Sequence, residues 1–243
     1  MTVPFILSLV LAGITVCALP YYCVLTYRGK SNVTLWYKMG LASLFVLAGL
    51  LALCAAPEKH SYMFFLFAAF AMSFAGDYIL GKYDRMKMFV IGSVTFAVAH
   101  AFFITSFSLA VQSRLWDYSW FNGAEIGFFA AIYALMLLIM LWRKPLFHKL
   151  FIPMFIYYAV VLLMATKAFG VALRLGSEAP ALWMLPIGGL LFVASDYTLG
   201  LMRFKVLPKT VVIKTFCTAS YFVAQMLIAL ASFFLFGAAE KII

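Results

Sequence analysis

Eight long apolar runs, separated by short polar or basic segments, organise this chain. They fall at Val3–Thr26, Thr34–Cys54, Ser61–Leu80, Met88–Val111, Ala124–Trp142, Leu150–Val171, Ala181–Leu201 and Val211–Phe236. A helix needs about 20 apolar residues to cross a hydrocarbon layer about 30 Å thick. The runs are continuous rather than alternating, which favours helices over barrel strands. Short connections favour antiparallel neighbours. The pattern predicts an all-α fold: a polytopic membrane bundle of about eight transmembrane helices, forming one integral membrane domain over residues 1–243.

Composition agrees with the pattern. Hydrophobic types make up 67% of the 243 residues and charged types 11%, with a mean hydropathy of +1.07. A chain with so little polar surface cannot cover itself in water, and lipid must be its solvent. The first charge of the chain is Arg28. The basic start of a cleaved leader is therefore missing, and the first run reads as a retained helix. Cys17, Cys23, Cys54 and Cys217 all lie in apolar stretches without a CxxC pair, and read as free buried thiols.

The net charge of +10 then sets orientation. Arg28, Lys30, Lys38, Lys82, Arg85, Lys87, Arg143, Lys144, Lys149, Arg203, Lys205 and Lys209 collect at one end of the predicted bundle. The other end has Lys59, Arg114, Arg174 and Lys241. By the positive-inside rule both termini are expected on the non-cytoplasmic side. That places a bacterial protein in the cell membrane and a eukaryotic one in the endoplasmic reticulum membrane. The expected partners are membrane lipids. Charges dispersed among spans argue against nucleic acid.

The chain also repeats itself. Ala75-Gly76-Asp77-Tyr78-Ile79-Leu80-Gly81 resembles Ala194-Ser195-Asp196-Tyr197-Thr198-Leu199-Gly200, at an offset of 119 positions. Thr95, Phe96, Ala99 and Phe102 are echoed by Thr215, Phe216, Ala219 and Phe222 at an offset of 120. Helices three and four thus have counterparts in seven and eight. The halves, approximately 1–115 and 116–243, would be parallel four-helix repeats.

Ionisable residues inside a membrane are expensive and point to function. The candidates are Asp77, Asp196, His100, Lys167 and Lys214. Asp77 and Asp196 lie about 7–10 Å inside the basic end of helices three and seven. At a shared depth they could face each other. Two carboxylates close together in a low dielectric do not both ionise easily. One proton donor beside one acceptor is what acid/base hydrolysis requires. Alternatively, each aspartate pairs with a lysine or arginine and pins helix packing. His100 lies about 10 Å away in depth, and is expected to line the same cavity without touching the acids. Lys214, Thr218, Tyr221 and Gln225 form one polar stripe on helix eight, facing a cavity or another helix. Lys167 is expected to snorkel, and Asn122 with Glu125 to cap helix five. His60, His100 and His148 are too few and too dispersed for a multi-histidine metal site. No GxSxG elbow, HExxH or P-loop is present.

Four segments in order resemble the YhhN-like lysoplasmalogenase family of eight-span membrane proteins. They are Ser73–Leu80, Phe96–Phe103, Gly189–Asp196 and Tyr221–Leu227, and they cover the chain from helix three onward. The resemblance implies hydrolysis of the vinyl ether bond of a lysoplasmalogen, a lysophospholipid, to a fatty aldehyde and a glycerophospho-base. It implies Asp77 and Asp196 as the catalytic acid/base pair, with no cofactor and no metal. Ser73, His100, Ser195, Lys214, Tyr221 and Gln225 are the candidate substrate-binding residues. The residues alone leave a rival open: a proton-coupled membrane transporter using Asp77 and Asp196 as a proton relay. That reading expects a helix broken near mid-bilayer. A metal-dependent lipid amidase would need several histidines near the membrane.

Overall fold

The computed structural model describes residues 2–28, 31–115, 119–142 and 150–237. The basic residues Lys30, Arg143, Lys144, Lys149 and Lys241, and His148, lie outside that set. Among the described residues there are eight long helices and no strand. They are α1 (Val3–Arg28), α2 (Asn32–Ala55), α3 (Ser61–Lys82), α4 (Met86–Gln112), α5 (Gly123–Trp142), α6 (Phe151–Leu175), α7 (Met184–Arg203) and α8 (Val211–Leu235). A 3₁₀ turn, Pro180–Trp183, leads into α7. Each helix is apolar and long enough to cross a bilayer, and the chain is a multi-pass membrane protein. Each expected boundary falls within four residues of the observed one.

Local chemistry starts several of these helices. The Ser31 side chain accepts from the Thr34 amide at 3.1 Å, and Thr210 accepts from the Ile213 amide at 3.3 Å. At α5, Asn122 Oδ1 accepts from the Glu125 amide while Glu125 Oε2 accepts from the Asn122 amide, both at 2.8 Å. That is a reciprocal capping box, and it satisfies two backbone donors that have no partner in the helix.

Packing then orders the helices. Contacts α2–α3, α3–α4, α4–α6, α6–α7, α7–α8 and α8–α2 close a ring of six. Outside the ring, α1 lies against α2 and α8, and α5 lies against α6. Replacing α1–α4 by α5–α8 maps most of these neighbours onto one another. We propose that a pseudo-twofold axis relates the halves 1–115 and 116–243.

Lipid tails are as apolar as leucine, so helix association in a bilayer depends on close packing and small residues. Ala42, Ala48, Ala69, Ala99, Ala165 and Ala224 are fully buried. A Cβ at Gly189 would come within 2.9 Å of the Ala165 Cα, so the α6 and α7 backbones touch there.

Three sequence expectations change. Cys17 and Cys54 are exposed, while Cys23 and Cys217 are buried, and all four are free. Hydropathy does not separate a lipid-facing surface from a core. Lys167 does not snorkel but is buried. Its ammonium binds the Trp120 carbonyl, lies 3.7 Å from the Phe121 ring centroid and approaches Glu125 at 3.9 Å. Glu125 does more than cap, because Arg174 grips its carboxylate at 3.0 and 3.1 Å. A fully buried carboxylate draws such cations inward.

Candidate functional site

Asp77 and Asp196 both point into the helix ring, 2% and 6% exposed respectively. They are held differently. Lys38 Nζ, from α2, lies 2.7 Å from Asp77 Oδ1 and also bonds the Asp77 carbonyl oxygen at 3.2 Å. Tyr221 Oη, from α8, donates to Asp77 Oδ2 at 2.6 Å. Gln225 Nε2 donates in turn to Tyr221 Oη at 3.3 Å. Asp77 therefore faces a cation and a phenol.

Asp196 is bound by neutral-capable groups. Tyr157 Oη, from α6, donates to Asp196 Oδ2. His100 Nε2, from α4, lies 3.5 Å from the same oxygen. The 10 Å separation expected for His100 is thus overturned. Counting residues from helix ends gives relative depth only if the helices start level and run parallel. His100 Nδ1 is buried with no partner.

A single ring joins the two clusters. Phe192 meets the His100 imidazole edge-on at 4.7 Å between centroids, and the Tyr221 ring at 5.3 Å. Phe96 packs on both Phe192 and Tyr221. No hydrogen bond joins the two acids; the side chains between them run Tyr221, Phe192 and His100.

The repeat extends to the partners. Lys38 on α2 holds Asp77 on α3, and Tyr157 on α6 holds Asp196 on α7. Lys38 and Tyr157 stand 119 positions apart, as the two aspartates do. Sequence reasoning missed both partners. The offset was the available signal, but the unlike side chains at its two ends hid it.

Above the acids, toward the basic end, lies a cavity of about 390 Å³. Its wall carries Lys38, Lys209, Lys214, Arg203, Thr34 and Thr218. Arg203 also bonds Asp84 at 2.7 Å. Neither aspartate lines this space. Asp77 is one contact away, through Lys38; Asp196 is farther, and its chain neighbour Ser195 donates from Oγ to the carbonyl of Cys217, another wall residue, at 2.8 Å. The polar stripe on α8 is therefore divided. Lys214 and Thr218 face the cavity, while Tyr221 and Gln225 continue the line into the core. Ser73 is fully buried and its hydroxyl has no partner. Gln225 Oε1 is likewise unpartnered.

This arrangement can bind an anion at the cavity and move protons beneath it. Among the described residues, no group of three or more His, Cys, Asp or Glu side chains is close enough to hold a metal. No curated protein and no solved structure matches the chain. The model of the YhhN family matches residues 36–232, beginning within α2 just before Lys38, and the chain belongs to that family.

Proposed function

We propose that this protein is a lysoplasmalogenase-type hydrolase that opens the vinyl ether bond of a lysoplasmalogen by acid/base catalysis. The observation that carries the reading is the pair of buried acids in unlike surroundings beneath a basic cavity. Asp77 has an ammonium to balance its charge, whereas Asp196 has a phenol and an imidazole. Unlike environments let two carboxyl groups take opposite roles.

In this mechanism Asp196 gives its proton to the terminal alkene carbon of the vinyl ether. An oxocarbenium ion forms at the ether carbon. Asp77, as carboxylate, steadies that cation and takes a proton from the attacking water. The hemiacetal then collapses: Asp77 returns its proton to the departing glycerol oxygen, Asp196 takes the proton of the hemiacetal hydroxyl, and a fatty aldehyde and a glycerophospho-base leave with both carboxyl groups reset. Glycosidases divide the labour similarly on a related cation. Lys214 and Thr218 would hold the head group in the cavity, and Tyr221 and Gln225 would fix Asp77 from below. The transport reading is less well supported, because each described span is one continuous helix.

The test is aldehyde release from lysoplasmalogen by purified protein in detergent. Asp77→Asn and Asp196→Asn should each abolish it, and full activity in either variant would defeat the assignment. Release that stops with a chelator would point to a metal-dependent enzyme instead.

A further inference from the structure

Lys38 belongs to two sites at once. Asp77 engages it at Oδ1 and at the backbone oxygen, and an ammonium has three N–H donors. The same side chain forms part of the cavity wall. Lys209, Lys214 and Arg203 add positive charge to that wall, and Thr34 and Thr218 add hydroxyl donors. Asp84 is the acidic residue in the wall, and it is tied to Arg203. Several cations with hydroxyls around a chamber of about 390 Å³ suit a phosphate ester, which offers several acceptor oxygens. The wall offers an anion three lysines, Lys38, Lys209 and Lys214, whereas Asp77 has Lys38 alone. The lysine stem is long and rotatable, so its head can swing between the two.

We propose that the cavity is a phosphate-ester site, and that the ligand and Asp77 compete for Lys38. Phosphate binding withdraws the ammonium and leaves the Asp77 carboxylate held by Tyr221 alone. Lys38 is then a positioning residue: it keeps Asp77 neutralised until a head group arrives. Only the catalytic meaning of this switch rests on the hydrolase reading above; the competition itself is a binding property.

Binding therefore tests it without turnover. Lysophosphatidylethanolamine, inorganic phosphate and a monoacylglycerol would each be titrated into detergent-solubilised protein by calorimetry. Removing the competitor should tighten binding, so Asp77→Asn should raise affinity for lysophosphatidylethanolamine about fivefold or more. Asp196→Asn, which alters a carboxyl group that Lys38 does not contact, should change it less than about twofold. The double variant Lys38→Met with Asp77→Asn buries no unpaired charge, and should bind more weakly than the wild type. Binding of the lysolipid but not of phosphate assigns the site to a lipid head group; binding of both assigns it to phosphate with or without a chain. The proposal is overturned if Asp77→Asn leaves affinity unchanged, or if Asp196→Asn raises it equally. It is also overturned if the monoacylglycerol shows the same enhancement, or if neither phosphate-bearing probe binds the wild type. Absence of aldehyde release by the wild-type protein with this pattern intact would sink the hydrolase reading alone.

Discussion

His100 Nε2 stands 3.5 Å from Asp196 Oδ2, joining the middle of α4 to the middle of α7. Tyr157 Oη donates to the same oxygen, so the two side chains fix where the carboxyl group points. His100→Leu should lower the rate of aldehyde release about tenfold or more with little change in KM, because misplacing a reacting group is costly. His100→Gln, which keeps a donor, should recover part of that loss. Steady-state kinetics on both variants decides the matter, and a rise in KM alone would assign His100 to binding.

Far from the acids, the buried Glu125 carboxylate holds Arg174 at 3.0 Å and Lys167 at 3.9 Å. Breaking a buried pair leaves charge uncompensated, at a cost of about 3–5 kcal/mol. Glu125→Leu should therefore lower the thermal unfolding midpoint in detergent, with activity per folded molecule unchanged. An unaltered midpoint would show that the cluster contributes nothing to stability.

The α6–α7 contact at Gly189 makes a third expectation. A methyl group there meets the Ala165 backbone at 2.9 Å, whereas one at Gly127 on α5 meets nothing within 4 Å. Gly189→Ala must push the two helices apart and disturb Asp196 on the same helix. Overpacking of this kind costs about 1–3 kcal/mol. Gly127→Ala should be neutral or slightly stabilising. Unfolding curves of the two variants, compared side by side, provide the check.

Orientation is testable in whole cells. The α3–α4 turn carries Asp84 and Arg85, and the α2–α3 turn carries Pro57 and Glu58. If the basic end faces the cytoplasm, a cysteine replacing Glu58 reacts with a membrane-impermeant maleimide in intact cells. One replacing Asp84 reacts only after permeabilisation. The reverse pattern would invert the assigned topology.

Much of this molecule was legible in its sequence. The eight spans, the inward-facing stripe on α8 and the burial of Asp77 and Asp196 were all readable from one chain. The partners of the acids were not. Lys38 looked like one more basic residue at a helix end, yet its head reaches Asp77. Tyr157 looked like one aromatic among many, yet it binds Asp196. His100 was placed at the wrong depth, and Lys167, expected to snorkel, is buried.

The sequence by itself determined which segments are helices and that they lie in lipid. In a bilayer each backbone group is satisfied within its own helix, so hydropathy and length suffice. Tertiary structure alone decided which side chains meet. That depends on how each helix is rotated and on which neighbour it packs against. The ring closed by α8 against α2, with the backbone contact at Gly189, sets those rotations. It leaves Lys38 between a basic cavity and a buried acid.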